Sequence, residues 1–142
     1  MAGEGLSTEE LKAFLAEVFA PWVQQLRIEP VEVTETGALF RVPENPDLAR
    51  VGGIVSGQAV AAIADTAGVL ALMAHNRERR LMTTVDMTTH FMRPLMTGIL
   101  EAEVAILSNG RRLATVRVDV RQAGSARICA GATCAYAYVE TA

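Results

Sequence analysis

Asp65 stands inside an apolar run, GQAVAAIADTAGVLALMAH, that extends from Gly57 to His75 and flanks the carboxylate with Ile63, Ala64, Ala67 and Val69. A charge there is costly unless it is paired or reached by solvent, and aspartate is a poor residue for a helix interior. Two readings compete. In one, Asp65 caps another element or pairs with an arginine. In the other, it sits in a poorly solvated cleft, where a carboxylate gains basicity and serves as base or nucleophile. Upstream, Gly52-Gly53-Ile54-Val55-Ser56-Gly57 leads into the same run. If the run is a helix, Gly57 and Gln58 offer unpaired backbone N–H groups at its positive end. Such a terminus can hold an anion or a developing oxyanion; the plainer reading is a glycine-rich turn with Ser56 as N-cap.

Together the two features constrain geometry. A base and an oxyanion donor must converge within about 3 Å of one carbonyl. Gly57 and Asp65 are eight residues apart, about 12 Å along a helix axis. One chain cannot bring both to the same carbonyl. Joint catalysis therefore requires Gly57 of one subunit to meet Asp65 of another, most simply across a twofold axis with antiparallel helices. A homodimer is expected.

Other chemistry-bearing residues carry less. Of the 13 basic residues 12 are arginine, which suits bidentate phosphate contact, so Arg93, Arg111 and Arg112 near strand ends are candidate grips for a phosphorylated substrate arm. His75 falls at a helix C-terminus, where the dipole favours it. His90 shares a predicted strand face with Thr84, Asp86 and Thr88, and Asp86 is a candidate partner for an arginine. Cys129 and Cys134 lie five apart in a predicted strand, on opposite faces and about 17 Å apart, too far for a disulfide. They also lack metal-ligand spacing. Inert thiols in a reducing cytoplasm are expected. There is no nucleophile elbow, Walker loop, dinucleotide fingerprint or zinc pattern, so no metal or redox cofactor is expected.

The elements that must position these residues follow from periodicity. Ser7-Thr8-Glu9-Glu10 reads as a capping box, and Leu11, Phe14, Leu15, Val18, Phe19, Trp22 and Val23 recur at helical spacing. A helix over about 7–24 is predicted, ended or kinked near Ala20 by Pro21. Residues 26–36 and 38–42 read as a hairpin, with Pro30 marking an edge or bulged strand. Residues 43–53 are loop, and 57–75 is a helix buried on every side. Four strands follow, at 81–92, 98–107, 112–122 and 126–139, the middle pair joined by a predicted type I′ turn at Asn109-Gly110. One apolar helix and about six strands pack most economically as an antiparallel sheet curled around that helix. This is an α+β, hotdog architecture with an extra N-terminal helix, one domain over 1–142.

Composition agrees. The 142 residues are 51% apolar and 20% charged, with a net charge of −3, which fits a globular chain and disfavours nucleic-acid or anionic-membrane partners. The acidic, polar start MAGEGLSTEEL is the opposite of a targeting peptide. A cytoplasmic domain is expected.

The stretch Gly52 to Ala67, GGIVSGQAVAAIADTA, resembles the signature of hotdog-fold acyl-CoA thioesterases of the phenylacetate-pathway (PaaI) type. Val85-Asp86-Met87-Thr88-Thr89-His90-Phe91-Met92-Arg93-Pro94 and Asn109-Gly110-Arg111-Arg112-Leu113-Ala114 are similar to the same family. The resemblance covers roughly residues 35–140. It implies hydrolysis of an acyl-CoA, small aromatic or short to medium in chain, with coenzyme A as part of the substrate, in a homodimer or dimer of dimers. Asp65 then matches the general base or nucleophile, Gly57 the N–H that polarises the thioester carbonyl, and Thr84 a strand hydroxyl that helps hold the attacking water. The family usually starts its helix with His-Gly-Gly. Here Ser56-Gly57-Gln58 stands instead, the glycine pair comes earlier at Gly52-Gly53, and Arg50 replaces an asparagine. Ser56 therefore joins the catalytic candidates, and Gly53, Gln58 and Arg50 join Arg93, Arg111 and Arg112 as substrate-binding candidates. A non-catalytic acyl-CoA-binding module and a hotdog hydratase or dehydratase are the alternative readings.

Overall fold

The computed structural model describes residues 6–76 and 79–139. Helix α1 (Thr8–Val18) opens with the expected capping box: Glu10 N–H donates to Ser7 Oγ and Ser7 N–H to Glu10 Oε1, both at 3.2 Å. The single helix expected over 7–24 is two pieces, because Pro21 cannot donate to the preceding turn. It instead occupies the first turn of α2 (Pro21–Gln24), where no donor is needed.

Strands β1 (Glu29–Val33) and β2 (Gly37–Val42) form the first hairpin, and its register slips between Pro30 and Glu32. Pro30 thus sits at a bulge on an edge strand, as a residue without an N–H should. The expected loop contains a two-stranded ribbon, β3 (Ala49–Arg50) and β4 (Ile54–Val55), closed by Gly52 and Gly53 at φ 98° and 75°. Only glycine adopts such angles without steric cost.

Helix α3 (Gly57–His75) is the core. It is long and apolar enough to cross a membrane, yet most of it is buried inside the protein. Around it curls one antiparallel sheet made of β1, β2, β5 (Met82–Phe91), β6 (Leu100–Asn109), β7 (Leu113–Gln122) and β8 (Ala130–Tyr138), in the order β1-β2-β6-β7-β8-β5. Small residues let helix and sheet approach. A Cβ on Gly68 would lie 2.3 Å from Tyr136 Oη, and one on Gly37 would lie 1.7 Å from the Val104 carbonyl. Edge strand β1 packs against α1, whereas among the described residues β5 pairs with β8 alone.

Two expectations change. The β6–β7 turn is not type I′, since neither Asn109 nor Gly110 has positive φ. Asn109 stays in its strand opposite Ala114, its side chain donating to Asn76 and accepting from the Tyr138 hydroxyl. The last strand begins at Ala130, so Cys129 precedes it; both thiols are free and buried.

Candidate active site

Ser56 is the N-cap of α3, with its Oγ accepting from Ala59 N–H at 3.2 Å. Its carbonyl takes Val60 N–H and its own N–H goes to Leu48. The Ser56 hydroxyl is thus a cap, occupied by its own helix. Among the described residues, Gly57 and Gln58 N–H are left without an acceptor, which is the anion-holding arrangement of a helix start. Gly57 faces a hollow of about 310 Å³ lined by Val60, Phe91, Pro94 and Leu95, with Arg50 and Arg93 beside them. A Cβ on Gly57 would rest 3.6 Å from the Phe91 ring.

Asp65 lies in a separate hollow of about 260 Å³, two turns along the helix. Thr84 Oγ1 donates to Asp65 Oδ1 at 2.8 Å. Tyr136 Oη donates to the Asp65 backbone carbonyl at 3.1 Å, so side chain and main chain of the same residue are both tied to the sheet. Asp65 is half-buried, and among the described residues it has no ion pair. Among the described residues the alternative of an arginine-paired carboxylate is not built. Burial pushes Tyr136 well above the ordinary phenol range, with the charges of Cys134 and Asp65 adding to it. The phenol stays a neutral donor.

A bulge sets which face Thr84 presents. Thr84 pairs with Tyr136 but Asp86 pairs with Ala135, so Val85 is an extra residue. Cross-strand partners share a face. Thr84 therefore sits with buried Tyr136 on the helix side, and after the slip Met87, Thr89 and Phe91 take that side opposite Cys134, Ala132 and Ala130. Asp86, Thr88 and His90 turn outward. The strict alternation that grouped Thr84 with Asp86, Thr88 and His90 is corrected by this one inserted residue.

The remaining candidates divide. Gly53 donates to the Arg50 carbonyl, and its own carbonyl accepts from both Thr97 N–H and Thr97 Oγ1, so it is a turn residue with its polar groups occupied. Gln58 opens with Ser56 into a third hollow shared with Trp22, Gln25 and Arg27. Arg93 donates to the Ile128 carbonyl at 2.9 Å while lining the Gly57 hollow. Arg111 lies by the Asp65 hollow instead: its carbonyl accepts from Arg80, which lines that hollow. The neighbouring Arg112 carbonyl accepts from Tyr138 N–H. His75 Nε2 lies 2.8 Å from the Gly37 carbonyl and must donate to it, a structural contact. Asp86 has no ion pair among the described residues.

Three contributors escaped the sequence reading. Tyr136 is a lone large residue among alanines, and its register opposite Gly68 is a long-range fact. Arg80 follows a loop whose path periodicity does not define. Helix α1, which seemed only to pack, lends Phe14 and Val18 to the Asp65 hollow, joined by Phe19 just beyond it.

Comparison with known proteins fits this geometry. Residues 52–129 match the thioesterase superfamily. A candidate esterase of Thermoplasma acidophilum is 29% identical over 81% of this chain and 87% of its own length. Another, from Thermoplasma volcanium, is 31% identical over 70% of this chain and 74% of its own. Among solved structures, a Haemophilus influenzae thioesterase superposes with a TM-score of 0.85 at 20% identity, covering 99% of this chain and 96% of its own. A candidate thioesterase from a Silicibacter species also reaches 0.85, at 26% identity, with 99% and 97% covered. The chain belongs to the thioesterase superfamily, a hotdog domain of the thioester-hydrolase class.

Proposed function

We propose that the protein hydrolyses acyl-CoA thioesters as a homodimer, with Asp65 as the base. The observation that carries this reading is the Asp65–Thr84 hydrogen bond of 2.8 Å in one hollow while Gly57 faces another. A carboxylate without a counter-ion, oriented by one hydroxyl, retains lone pairs for a water. That water would give its proton to Asp65 and form a bond to the thioester carbon. The carbonyl oxygen would gain charge against the N–H groups of Gly57 of the partner subunit and the residue after it. Collapse of the tetrahedral species breaks the carbon–sulfur bond and releases the thiolate, which takes up the proton. A thiol with a pKa near 8.5 leaves readily.

The need for a second copy has support on the surface. Strand β5 carries Thr84, has a free edge, and leaves Val85 and Phe91 more than half exposed. Unpaired edges with apolar residues invite another strand. Two β5 edges meeting antiparallel would bring each Asp65 hollow toward the other copy's Gly57 hollow. Arg50 and Arg93 would then border the path of the coenzyme into a single composite cleft, with Arg111 and Arg112 at the far end of the Asp65 hollow. Neither histidine lines the Asp65 or Gly57 hollow, so hydratase chemistry, which wants a histidine beside the acid, has no base here.

The test is a panel of acyl-CoA thioesters with free-thiol detection, run on wild type and Asp65→Asn. General-base removal should cost about 10²–10⁴ in turnover while leaving binding in place. A panel in which wild type cleaves nothing faster than the variant overturns the hydrolase reading and leaves an acyl-CoA-binding module.

A further inference from the structure

The Asp65 hollow also holds a cation. Arg80 is half-buried on its wall, with its guanidinium stacked 3.4 Å above the Tyr138 ring centroid and one N–H donated to the Arg111 carbonyl. Tyr138 is itself fixed, because Asn76 donates to its Oη and Oη donates to Asn109. Among the described residues no carboxylate lies within ion-pair distance of Arg80. Phe14, Val18, Val69 and Met82 line the same hollow, with Thr83 and Thr84 as its neutral polar residues. A guanidinium on a half-buried residue, with one carbonyl and an aromatic face as its partners, gains from an anion that reaches it. Its planar fork, immobilised on an aromatic face, is shaped to receive a carboxylate in bidentate fashion.

We propose that Arg80 determines acyl specificity: the Asp65 hollow takes the acyl arm, and Arg80 pairs with a carboxylate at its distal end. The preferred substrates are then ω-carboxyacyl thioesters, the mono-thioesters of short dicarboxylic acids. This rests on the thioesterase reading above and extends it to the substrate class. The hollow, about 260 Å³ in volume, has room for a short acyl arm. The arm's thioester end lies at Asp65, and the spacer keeps its carboxylate away from that charge.

The experiment compares adipyl-CoA with hexanoyl-CoA, equal in carbon count and different in terminal charge, by kcat/KM on wild type, Arg80→Met and Arg80→Lys. Wild type should favour adipyl-CoA by at least about tenfold, the value of a charge-assisted contact. Arg80→Met should erase that ratio, and Arg80→Lys should restore part of it. A wild-type ratio of one overturns the proposal. So does an Arg80→Met variant that loses both substrates equally, which would place Arg80 on the coenzyme. If no thioester is cleaved at all, the hydrolase reading fails separately. The hollow is then judged by calorimetry with CoA thioethers bearing a carboxypentyl or a hexyl arm. A carboxylate preference lost in Arg80→Met sustains the inference, and equal binding sinks it.

Discussion

Asp65 has two tethers of different kinds, and each predicts a different loss. The Thr84 hydroxyl holds the carboxylate, so Thr84→Val should lower kcat by about 10- to 100-fold, the worth of a hydrogen bond to a charged group. KM should change little, because the variant keeps shape and misplaces only the base. The Tyr136 hydroxyl holds the backbone, beside Cys134 on the same strand, and both are buried. Burial raises the Cys134 thiol above its ordinary range, with the charges of Asp65 and Asp86 adding and a hydrogen bond with Tyr136 opposing. Tyr136 is raised as well. The folded chain therefore keeps these protons longer than the unfolded one. Below about pH 8.5 both states are protonated and the contribution is intact. Above it the unfolded thiol ionises first, then near pH 10 the unfolded phenol. The unfolding free energy falls by at most about 1.4 kcal/mol per pH unit per group. Denaturant melts between pH 7 and 10.5 should show this decline, and Cys134→Ala should flatten its first part. Asp65 was legible in the sequence because it violates the apolar pattern around it. Thr84 was reached by resemblance. Tyr136 and Arg80 were not legible, since their roles depend on register and loop path.

At the scale of elements, the molecule depends on how closely α3 lies on its sheet. Gly68 is the contact point: an added methyl meets Tyr136 Oη at 2.3 Å and Val116 at 3.0 Å. Gly68→Ala should destabilise by about 1–3 kcal/mol through overpacking, although alanine is the better helix former by about 1 kcal/mol. Activity should fall further than stability, because the displaced tyrosine releases the Asp65 carbonyl. Thermal melts and kcat on the same preparation separate the two effects. Elements were the most readable level of this chain. The buried helix, the Pro30 edge and the Pro21 break each follow from a local rule that nothing distant overrides. Where tertiary contacts intervene, the local rule failed. Asn109-Gly110 is a strong I′ signal, yet Asn109 is held by Asn76 and Tyr138, which keep it extended. Strand β5 reads as a plain alternation, and its single bulge at Val85 reverses the faces on either side. That bulge alone lets Thr84 meet Asp65 while Phe91 still meets Gly57.

For the whole molecule the proposed catalyst is never assembled within one copy, since the helix that carries both parts also holds them about 12 Å apart. A mixing experiment turns this into a number. Gly57→Pro deletes one of the two oxyanion donors with little damage, because proline is favoured at the first helical position. Ser56, at φ −64° and ψ 149°, already has the backbone that a following proline requires. A Cβ there meets the Phe91 edge at an ordinary 3.6 Å. Alone, Gly57→Pro should lose about 10²–10³ in kcat, and Asp65→Asn at least as much. Co-refolded in equal amounts, half of the dimers are mixed. In each mixed dimer the Asp65→Asn chain supplies an intact helix start to the Gly57→Pro chain, which supplies an intact carboxylate. One of the two sites is whole, so activity should return to about a quarter of wild type per chain. A site contained within one protomer predicts no recovery, because each chain then carries its own lesion. Titration of one variant into the other by free-thiol release distinguishes the two, with activity peaking at equal amounts only if the cleft is shared.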